Sequence, residues 1–419
     1  MKSEVPAKRP AKIFYGWWIV LGTAIGAAVH SGLYMSGFGA FFDYLVNEFQ
    51  CSRAALSGAF SLRGFEGGIL GPVEGMLVDK FGPRKIMLVG VLLMGAGFIL
   101  LSRVANLTQF YLVFLLMIAL GAGLGLSSPA YIAVGNWFVR KQGIAFGLAQ
   151  SGIGLGGLIV PLLSWLIVQQ GWRTAALVSG IVIPFVGIPI ALLMRLRPEH
   201  YGSVPDGEAA PPVTGQAGRQ LVDDTAVEAL RTSAFWLLSM AFAIRLMVTG
   251  AVTVHFMPFL LDSGFPREVA AAALGSIVLI SVVGRLIFGW LGDRIEKRYV
   301  TAGLLMLLAG SLVLLGQVKS WWQLVIFLVL FSPAYGGLAT LMQSIRGQYF
   351  GRKAFGTIMG LSGMVTMLGT VAGPIFAGYT WDITGSYQLA FMVFAAAMAL
   401  AVGLILWTRQ PFKEEAMEV

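Results

Sequence analysis

The sequence has little charge, almost no cysteine and few histidines. Only 12% of its 419 residues are Asp, Glu, Lys or Arg, whereas a soluble globular protein has about 25%. Hydrophobic residues make up 57% of the chain and the mean hydropathy is +0.80. Because these residues form long apolar runs, the composition excludes an ordinary soluble domain and indicates a protein that crosses a membrane.

The missing side chains also exclude several kinds of chemistry. Cys51 is the one cysteine of the sequence, so an intrachain disulfide is impossible. With His30, His200 and His255 as the three histidines, no metal cluster can be built at these spacings, and no metal or cofactor is expected. No nucleophile, base and orienting group recur at plausible spacing, so the sequence predicts that the protein is not an enzyme.

Twelve apolar stretches are long enough to span a bilayer. Lipid cannot satisfy open backbone groups, so each is predicted to be a helix in an all-α membrane protein. No cleavable signal pattern precedes the first stretch. The predicted spans are 15–45, 55–78, 85–104, 107–136, 142–169, 173–195, 233–261, 268–291, 299–318, 321–346, 354–381 and 386–408.

The basic residues predict the orientation of these spans. If both termini lie on one side, that side collects 21 of the 29 Lys and Arg residues and the opposite loops collect 5. The positive-inside rule then places both termini in the cytoplasm of a cell (inner) membrane. This asymmetry explains the net charge of +9 without nucleic acid as a partner. The remaining basic residues lie inside predicted spans: Arg63, Arg245 and Arg285.

The chain divides into two bundles of six helices, 15–196 and 232–409. Residues 1–14 and 410–419 are predicted to be cytoplasmic tails. Residues 197–231 are rich in proline, glycine and charge, which is typical of a flexible cytoplasmic linker, and we interpret it as a tether. A short surface helix near Ala226–Leu230 is expected within it.

Arg285 is the most informative residue of the chain. It lies in an apolar stretch eight residues before Asp293, which is about 12 Å along a helix, whereas half of a bilayer's hydrocarbon core is about 15 Å. A permanent charge near mid-membrane is costly and marks a substrate or ion path. Since the guanidinium fork matches a carboxylate, Arg285 predicts a carrier of a small organic anion.

The two halves repeat the same motifs at nearly constant spacing. Gly75–Lys85 corresponds to Gly289–Arg298 at an offset of 214 residues, and Trp137–Lys141 corresponds to Tyr349–Lys353 at 212. Two six-helix halves related by an axis along the membrane normal form a known transporter architecture. Gly75–Lys85 resembles the loop motif of the major facilitator superfamily, which implies twelve transmembrane helices in two pseudo-symmetric bundles.

This resemblance also implies a gate at the cytoplasmic end. Asp79 with Arg84 and Lys85 would form a charge-and-cap latch, and Asp293 with Arg294 would repeat it in the second half. Glu74 lies beside the loop motif, so we also expect it to belong to the gate.

A narrower resemblance is to the monocarboxylate transporters and their oxalate/formate exchanger relatives. It rests on Tyr15–Trp18, on Trp137–Gly147 and on Arg285 in the eighth span. It implies proton-coupled symport of a short monocarboxylate, such as lactate or pyruvate, by a monomer in contact with membrane lipid. The proton gradient replaces any cofactor.

The helix layout of that family suggests further site residues. With Arg285 as the carboxylate clamp, the predicted substrate-binding residues are Tyr335, Tyr131, Tyr34 and Ser281. The candidates for proton coupling are His255, His30 and Glu66. The alternative for Glu66 is a mutually neutralising pair with Arg63, three residues away on the same helix face. The tyrosines and histidines have an alternative interpretation as packing or hydrogen-bonding residues of the bundle.

The sequence departs from these families at three places, one of which is the first helix, where animal monocarboxylate transporters use a lysine and Gly26 to Phe42 here contains none. Animal monocarboxylate transporters, which resemble this chain, carry an aspartate one turn before the arginine, where this chain has Ser281. Oxalate exchangers add a basic residue in the eleventh span, which is absent from Thr357 to Tyr379 here. One secure positive charge favours a monoanion, unless Arg245 also faces the cavity. Organic anion exchange, a non-transporting sensor and a drug exporter are the alternative functions.

Overall fold

The computed structural model describes residues 13–207 and 223–410, and within 53–66 the side chains of ten residues (53, 54, 57, 59–61 and 63–66) fall outside the description. Regular structure in the described residues is helical, without strands. The tail predictions for 1–12 and 411–419, and the side chains of Arg63 and Glu66, therefore lie outside the described part of the chain.

The first half contains six long helices. The segment Gln142–Leu193 is broken at Gly171, whose backbone (φ 81°, ψ 157°) is not helical, and this separates α5 (142–170) from α6 (172–193). The other helices are α1 (Gly16–Phe49), α2 (Arg53–Phe81), α3 (Pro83–Leu101) and α4 (Leu107–Trp137).

The second half repeats the arrangement without a break. Its helices are α7 (Ser233–Asp262), α8 (Arg267–Gly292), α9 (Lys297–Leu315), α10 (Trp321–Phe350), α11 (Phe355–Thr384) and α12 (Gln388–Trp407).

The predicted fold class is confirmed. Ten helical segments of the described residues are long and apolar enough to cross a membrane, the break at Gly171 divides one of them, and α2 is a further helix of 29 residues. These ten segments, the additional helix created by the break and α2 together give the twelve predicted spans. The long α1 and α4 are not uniform, because they include π-helical turns at His30–Met35, Phe114–Ala119 and Gly123–Ser127.

Both ends of the described chain lie on the same side of the bundle. Phe14 packs against Trp137 at the end of α4, and the side chain of Gln410 donates a hydrogen bond to the Gln348 carbonyl near the end of α10. We call this side the termini side. The positive-inside rule predicts that it is cytoplasmic.

The halves meet along two helix pairs, α2 with α11 and α5 with α8. Glycine permits the close approach, because a Cβ at Gly75 would lie 2.0 Å from the Gly356 carbonyl oxygen. On the other pair, a Cβ at Gly143 would lie 2.2 Å from the Gly289 carbonyl oxygen. Small residues let membrane helices pack backbone to backbone, and these glycines thus hold the halves together on the termini side.

The interpretation of the linker as a tether is wrong for both of its described ends. The Asp206 carboxylate is buried and accepts hydrogen bonds from the backbone amides of Val139, Arg140 and Lys141, at 2.9 to 3.1 Å. Before α7, a helix forms over Ala226–Arg231. The first linker end is thus bound to the loop between α4 and α5.

The second linker end contacts the equivalent loop between α10 and α11. Asp223 accepts from the amides of Arg352 and Lys353 at 2.6 and 2.8 Å. The Arg352 side chain donates to the Glu199 carboxylate at 2.8 Å and to the Asn136 carbonyl at 2.9 Å. Residues on both sides of the linker therefore join the two halves at the termini side.

Candidate functional site

Arg285 lies inside the protein, on the face of α8 that meets α5. It is 3% exposed, and its Nη1 donates to the Gln150 carbonyl of α5 at 2.7 Å. Its Nε is buried without a hydrogen-bond partner. Among the described residues, no carboxylate forms an ion pair with it. The guanidinium is therefore a buried cation at the boundary between the two halves.

Two tyrosines from opposite halves accompany this arginine. Tyr131 of α4 and Tyr335 of α10 both lie close enough to interact electrostatically with Arg285. Tyr335 is half-buried and its ring stacks on Phe331, with centroids 6.0 Å apart. The arrangement brings together the predicted clamp and two of the four other predicted substrate residues.

Arg245 is a second buried cation beside Tyr335. It is 4% exposed, donates to the Tyr335 carbonyl at 2.9 Å and lies 5.3 Å from the centre of the Tyr335 ring. Its charge also acts on Arg285. Two guanidiniums therefore share this region, and the sequence argument from one positive charge to a monoanion stays a prediction.

Arg346, at the end of the predicted span 321–346, is a third buried arginine. Its side chain turns into the second half and donates to the Ser362 hydroxyl at 2.8 Å. Its guanidinium lies 5.1 Å from the centre of the Phe242 ring. The sequence showed that Arg346 lies near the end of a span, but it did not show the direction of the side chain. In the structure, α10 continues four residues further, to Phe350.

Two other predicted substrate residues are placed differently. Ser281 is fully buried where α8 packs against Gly336 of α10, and its hydroxyl donates to the Val278 carbonyl of its own helix. Tyr34 is buried in the π-helical part of α1 between His30 and Phe114. Ser281 thus serves helix packing, and Tyr34 belongs to the core of the first half.

The two histidines proposed for proton coupling contact other groups of the bundle. His255 pairs with the Tyr387 hydroxyl at 3.2 Å and with the Pro374 carbonyl at 2.9 Å, on the side of the bundle opposite the termini. His30 stacks near Tyr34, with ring centroids 5.2 Å apart. Both have partners within the bundle, and the side chain of Glu66 lies outside the described residues.

The gate residues form two equivalent caps on the termini side. Asp79, near the end of α2, accepts from the Gly356 and Thr357 amides at 3.1 and 2.8 Å, and from the Thr357 hydroxyl at 2.8 Å. A carboxylate at a helix N-terminus satisfies free amides and complements the helix dipole. Asp79 therefore caps α11 of the other half.

Asp293 makes the equivalent cap on α5. It accepts from the amides of Gly143 and Ile144 at 2.6 and 2.8 Å. Burial raises the pKa of Asp293, and the amide hydrogen bonds from Ile144 and Gly143 oppose that effect. Two carboxylates thus latch the halves together on the termini side, which is closed in this structure.

The predicted basic partners take no part in these caps. Arg84 and Lys85 are exposed and form no ion pair with Asp79 among the described residues. Arg294 is also exposed and stacks 3.9 Å from the centre of the Trp290 ring. The hydrogen bonds of the latch come from the aspartates and helix ends, and Arg84, Lys85 and Arg294 are not among the donors.

Comparison with known sequences supports the transporter interpretation. The profile of the Major Facilitator Superfamily matches residues 23–299 and 262–417. The bovine (Bos taurus) protein named Monocarboxylate transporter 13 is 31% identical over 401 residues, which cover 94% of this chain and 89% of the bovine protein. Human (Homo sapiens) Monocarboxylate transporter 2 is 24% identical, with 100% of this chain and 91% of the human one covered.

Solved structures give the same fold at low sequence identity. The E. coli Fucose:proton symporter FucP superimposes with a TM-score of 0.70 at 17% identity, over 95% of this chain and 100% of that one. The human organic anion transporter TETRAN has a TM-score of 0.69 at 16% identity, with the same coverage. With twelve helices, a repeated latch and these matches along its length, the chain belongs to the major facilitator superfamily, within its monocarboxylate transporter family.

Proposed function

We propose that this protein is a secondary transporter that moves short monocarboxylates, such as lactate and pyruvate, together with a proton by alternating access. The observation that carries the proposal is the buried Arg285, which has no carboxylate partner among the described residues. A buried cation without a counter-ion is costly, and a substrate carboxylate would supply the missing charge.

The position of Arg285 supports binding between the two halves. One of its Nη groups is held by Gln150 of the first half, which orients the guanidinium and leaves other donors for a ligand. Tyr131 and Tyr335 contribute hydroxyls from opposite halves. A substrate bound by groups from both halves becomes accessible from one side or the other as the halves rock.

Proton coupling follows from charge balance in this proposal. One proton cancels the charge of one monocarboxylate, so the loaded carrier closes with the same net charge as the empty carrier. We place the protein in the cell membrane as a monomer with both termini in the cytoplasm. The proton gradient is the energy source, and no cofactor is needed.

A second candidate function is the exchange of organic anions, as in the oxalate/formate type. The buried Arg245 and Arg346 favour it, since neither forms an ion pair with a carboxylate among the described residues. An empty carrier would have to close over these uncompensated cations. An exchanger never returns empty and avoids that step.

Purified protein in liposomes separates the two functions. If the protein is a symporter, a pH that is lower outside the vesicles than inside drives accumulation of labelled lactate, even when the vesicles contain no substrate. Exchange predicts uptake only into vesicles preloaded with a carboxylate. A panel of labelled monocarboxylates and dicarboxylates then defines the substrate, and no uptake of any of them under either condition would contradict both candidates.

A further inference from the structure

Glu74 is a buried acid whose environment differs from the gate in which the sequence placed it. It lies five residues before Asp79, about 7 Å deeper along α2, and is 6% exposed. Among the described residues, its hydrogen bond comes from the Ser128 hydroxyl of α4, which donates at 3.5 Å. Glu74 therefore does not cap a helix end as Asp79 does.

The carboxyl group fits against a distorted part of α4. A Cβ at Gly123 would lie 2.3 Å from the Glu74 Oε1, so the glycine lets the carboxyl group lie directly against the backbone of α4. Gly123 begins the π-helical turn that ends at Ser127, directly before Ser128. Such π-helical turns frequently occur at functional sites.

No cation neutralises Glu74 among the described residues. Helices packed against α2 are α3, α4 and α11, together with the end of α1. No ionisable group described on these helices or on α2 forms an ion pair with Glu74 or acts on its charge. Those groups are Asp43, Tyr44, Glu48, Asp79, Lys80, Arg84, Lys85, Tyr111, Tyr131, Tyr379 and Asp382.

An isolated buried carboxylate is costly, and binding a proton removes that cost. By contrast, Asp79 accepts hydrogen bonds from two backbone amides and a hydroxyl, which stabilise its charge. The two neighbouring acids of α2 therefore have different chemistry, one suited to stay charged and the other to take up a proton.

A cavity lies at the boundary between the halves, beside the hydrogen-bond partner of this acid. Its volume is about 110 Å³, which is room for several water molecules. Ser128, the partner of Glu74, lines it together with glycines of α2 and α11. Ser128 thus lies between cavity water and the carboxyl group.

The cavity is placed where alternating access would open it. On its two sides, α2 and α11 approach through Gly71 and Gly360, where a Cβ on Gly360 would lie 2.2 Å from the Gly71 carbonyl oxygen. The Asp79 latch closes the same helix pair on the termini side. When the latch opens and α2 separates from α11, the cavity joins the solution on that side.

We propose that Glu74 is the proton-binding group of the transport cycle, and that it exchanges its proton with water through the cavity lined by Ser128. This inference rests on the proposed proton symport. The proton forms an O–H bond on a carboxyl oxygen of Glu74 in one state of the carrier. That bond breaks in the other state, so one proton crosses with each monocarboxylate.

Glu74→Gln tests the proposal, because glutamine resembles the protonated acid. In liposomes, we expect at least a tenfold loss of lactate accumulation driven by a pH step. Exchange of labelled lactate against lactate inside the vesicles should stay within twofold of the unmutated protein. Undiminished accumulation by Glu74→Gln would overturn the proposal, and so would equal loss of accumulation and exchange in a correctly folded protein.

Ser128→Ala is a second test that leaves the carboxyl group in place. We expect slower accumulation driven by the pH step, with unchanged exchange, and no change in either rate would count against the path through Ser128. If the proposed proton symport itself is wrong, the result is distinguishable from failure of the Glu74 proposal, because the unmutated protein then shows no accumulation driven by a pH step.

Discussion

The two halves of this protein share a gate but differ in the charges at equivalent positions. Shifting the first half by 214 residues places Asp79 on Asp293, and both cap a helix of the opposite half. The same shift places Gly71 on Arg285 and Glu74 on Phe288. The repeat therefore keeps the machinery that joins the halves, while the side chains suited to bind ions have diverged.

This divergence separates opposite charges between the halves. Three buried arginines lie in the second half, and the first half carries the buried Glu74. If the acid stood beside Arg285, the two would neutralise each other and neither would be free for a ligand or a proton. We infer that the cation that binds the substrate carboxylate belongs to the second half and the acid that binds the proton to the first.

The largest expected effect is at Arg285. Arg285→Lys keeps the charge but loses the planar fork, so we expect lactate uptake to fall on the order of 100-fold. Uptake into liposomes measures this, with Arg173→Lys as the matched control. Arg173 forms an exposed ion pair with Glu48, and its substitution should leave uptake unchanged.

Normal uptake by both Arg285→Lys and Arg285→Ala would show that Arg285 of the second half does not bind the substrate. Correct insertion of both variants is checked by their elution as single species in size-exclusion chromatography. Loss of uptake by the Arg173 control to the same extent would also contradict a specific role for Arg285.

The tyrosines test whether both halves contact the substrate. Tyr335→Phe and Tyr131→Phe each remove one hydroxyl near Arg285. A hydrogen bond to a charged group contributes about 1.5 to 3 kcal/mol, so we expect KM for lactate to rise about tenfold or more in each variant. Tyr34→Phe, in the core of the first half, is the control and should leave KM unchanged. If KM rises in Tyr335→Phe and not in Tyr131→Phe, the substrate contacts a tyrosine of the second half alone.

The two latches should differ in strength. Asp79 accepts three hydrogen bonds from α11, whereas Asp293 accepts two from α5. Replacing a capping side chain by alanine costs about 1 kcal/mol, so Asp79→Ala should raise the population open on the termini side severalfold, and Asp293→Ala should raise it less. Thr357→Val removes only the hydroxyl that donates to Asp79. It should raise the open population less than either aspartate variant.

Spin-label distances measure these populations. Labels at Phe81→Cys and Lys353→Cys, both exposed, lie on opposite halves at the termini side, and Cys51 is replaced by serine. Longer distances report opening. An equal distribution in all variants would show that the caps do not set the balance between states.

The linker carboxylates give the smallest expected difference. Asp206 is buried and accepts three amide hydrogen bonds, whereas Asp223 is exposed and accepts two. We expect Asp206→Ala to lower the melting temperature in detergent by on the order of 2 °C. Asp223→Ala should lower it less, and the reverse order would contradict the importance of burial.

The sequence predicted the fold well because the signals for it are local. Apolar runs define the spans, and the repeated Gly75–Lys85 and Gly289–Arg298 motifs define the halves. It also placed Arg285 in the eighth helix, where the structure has it. The direction of side chains was less accessible, because the rotation of each helix depends on its neighbours. Ser281 therefore proved to face α10, and Arg346 to face the interior.

Glu74 shows a different limit of the sequence. Its distance from the loop motif predicted a gate residue, as for Asp79. The space that accepts its carboxyl group comes from Gly123 and a π-helical turn in another helix. No pattern within α2 encodes that contact, so only the packed structure distinguishes the two acids.

The most direct test of the division between the halves is lactate binding to purified protein, measured by titration calorimetry across a range of pH. We predict that Glu74→Gln binds as tightly as the unmutated protein at low pH and no longer depends on pH, whereas Arg285→Lys binds at least tenfold more weakly at every pH. Unchanged binding by Arg285→Lys, or the same pH dependence in Glu74→Gln as in the unmutated protein, would contradict the account.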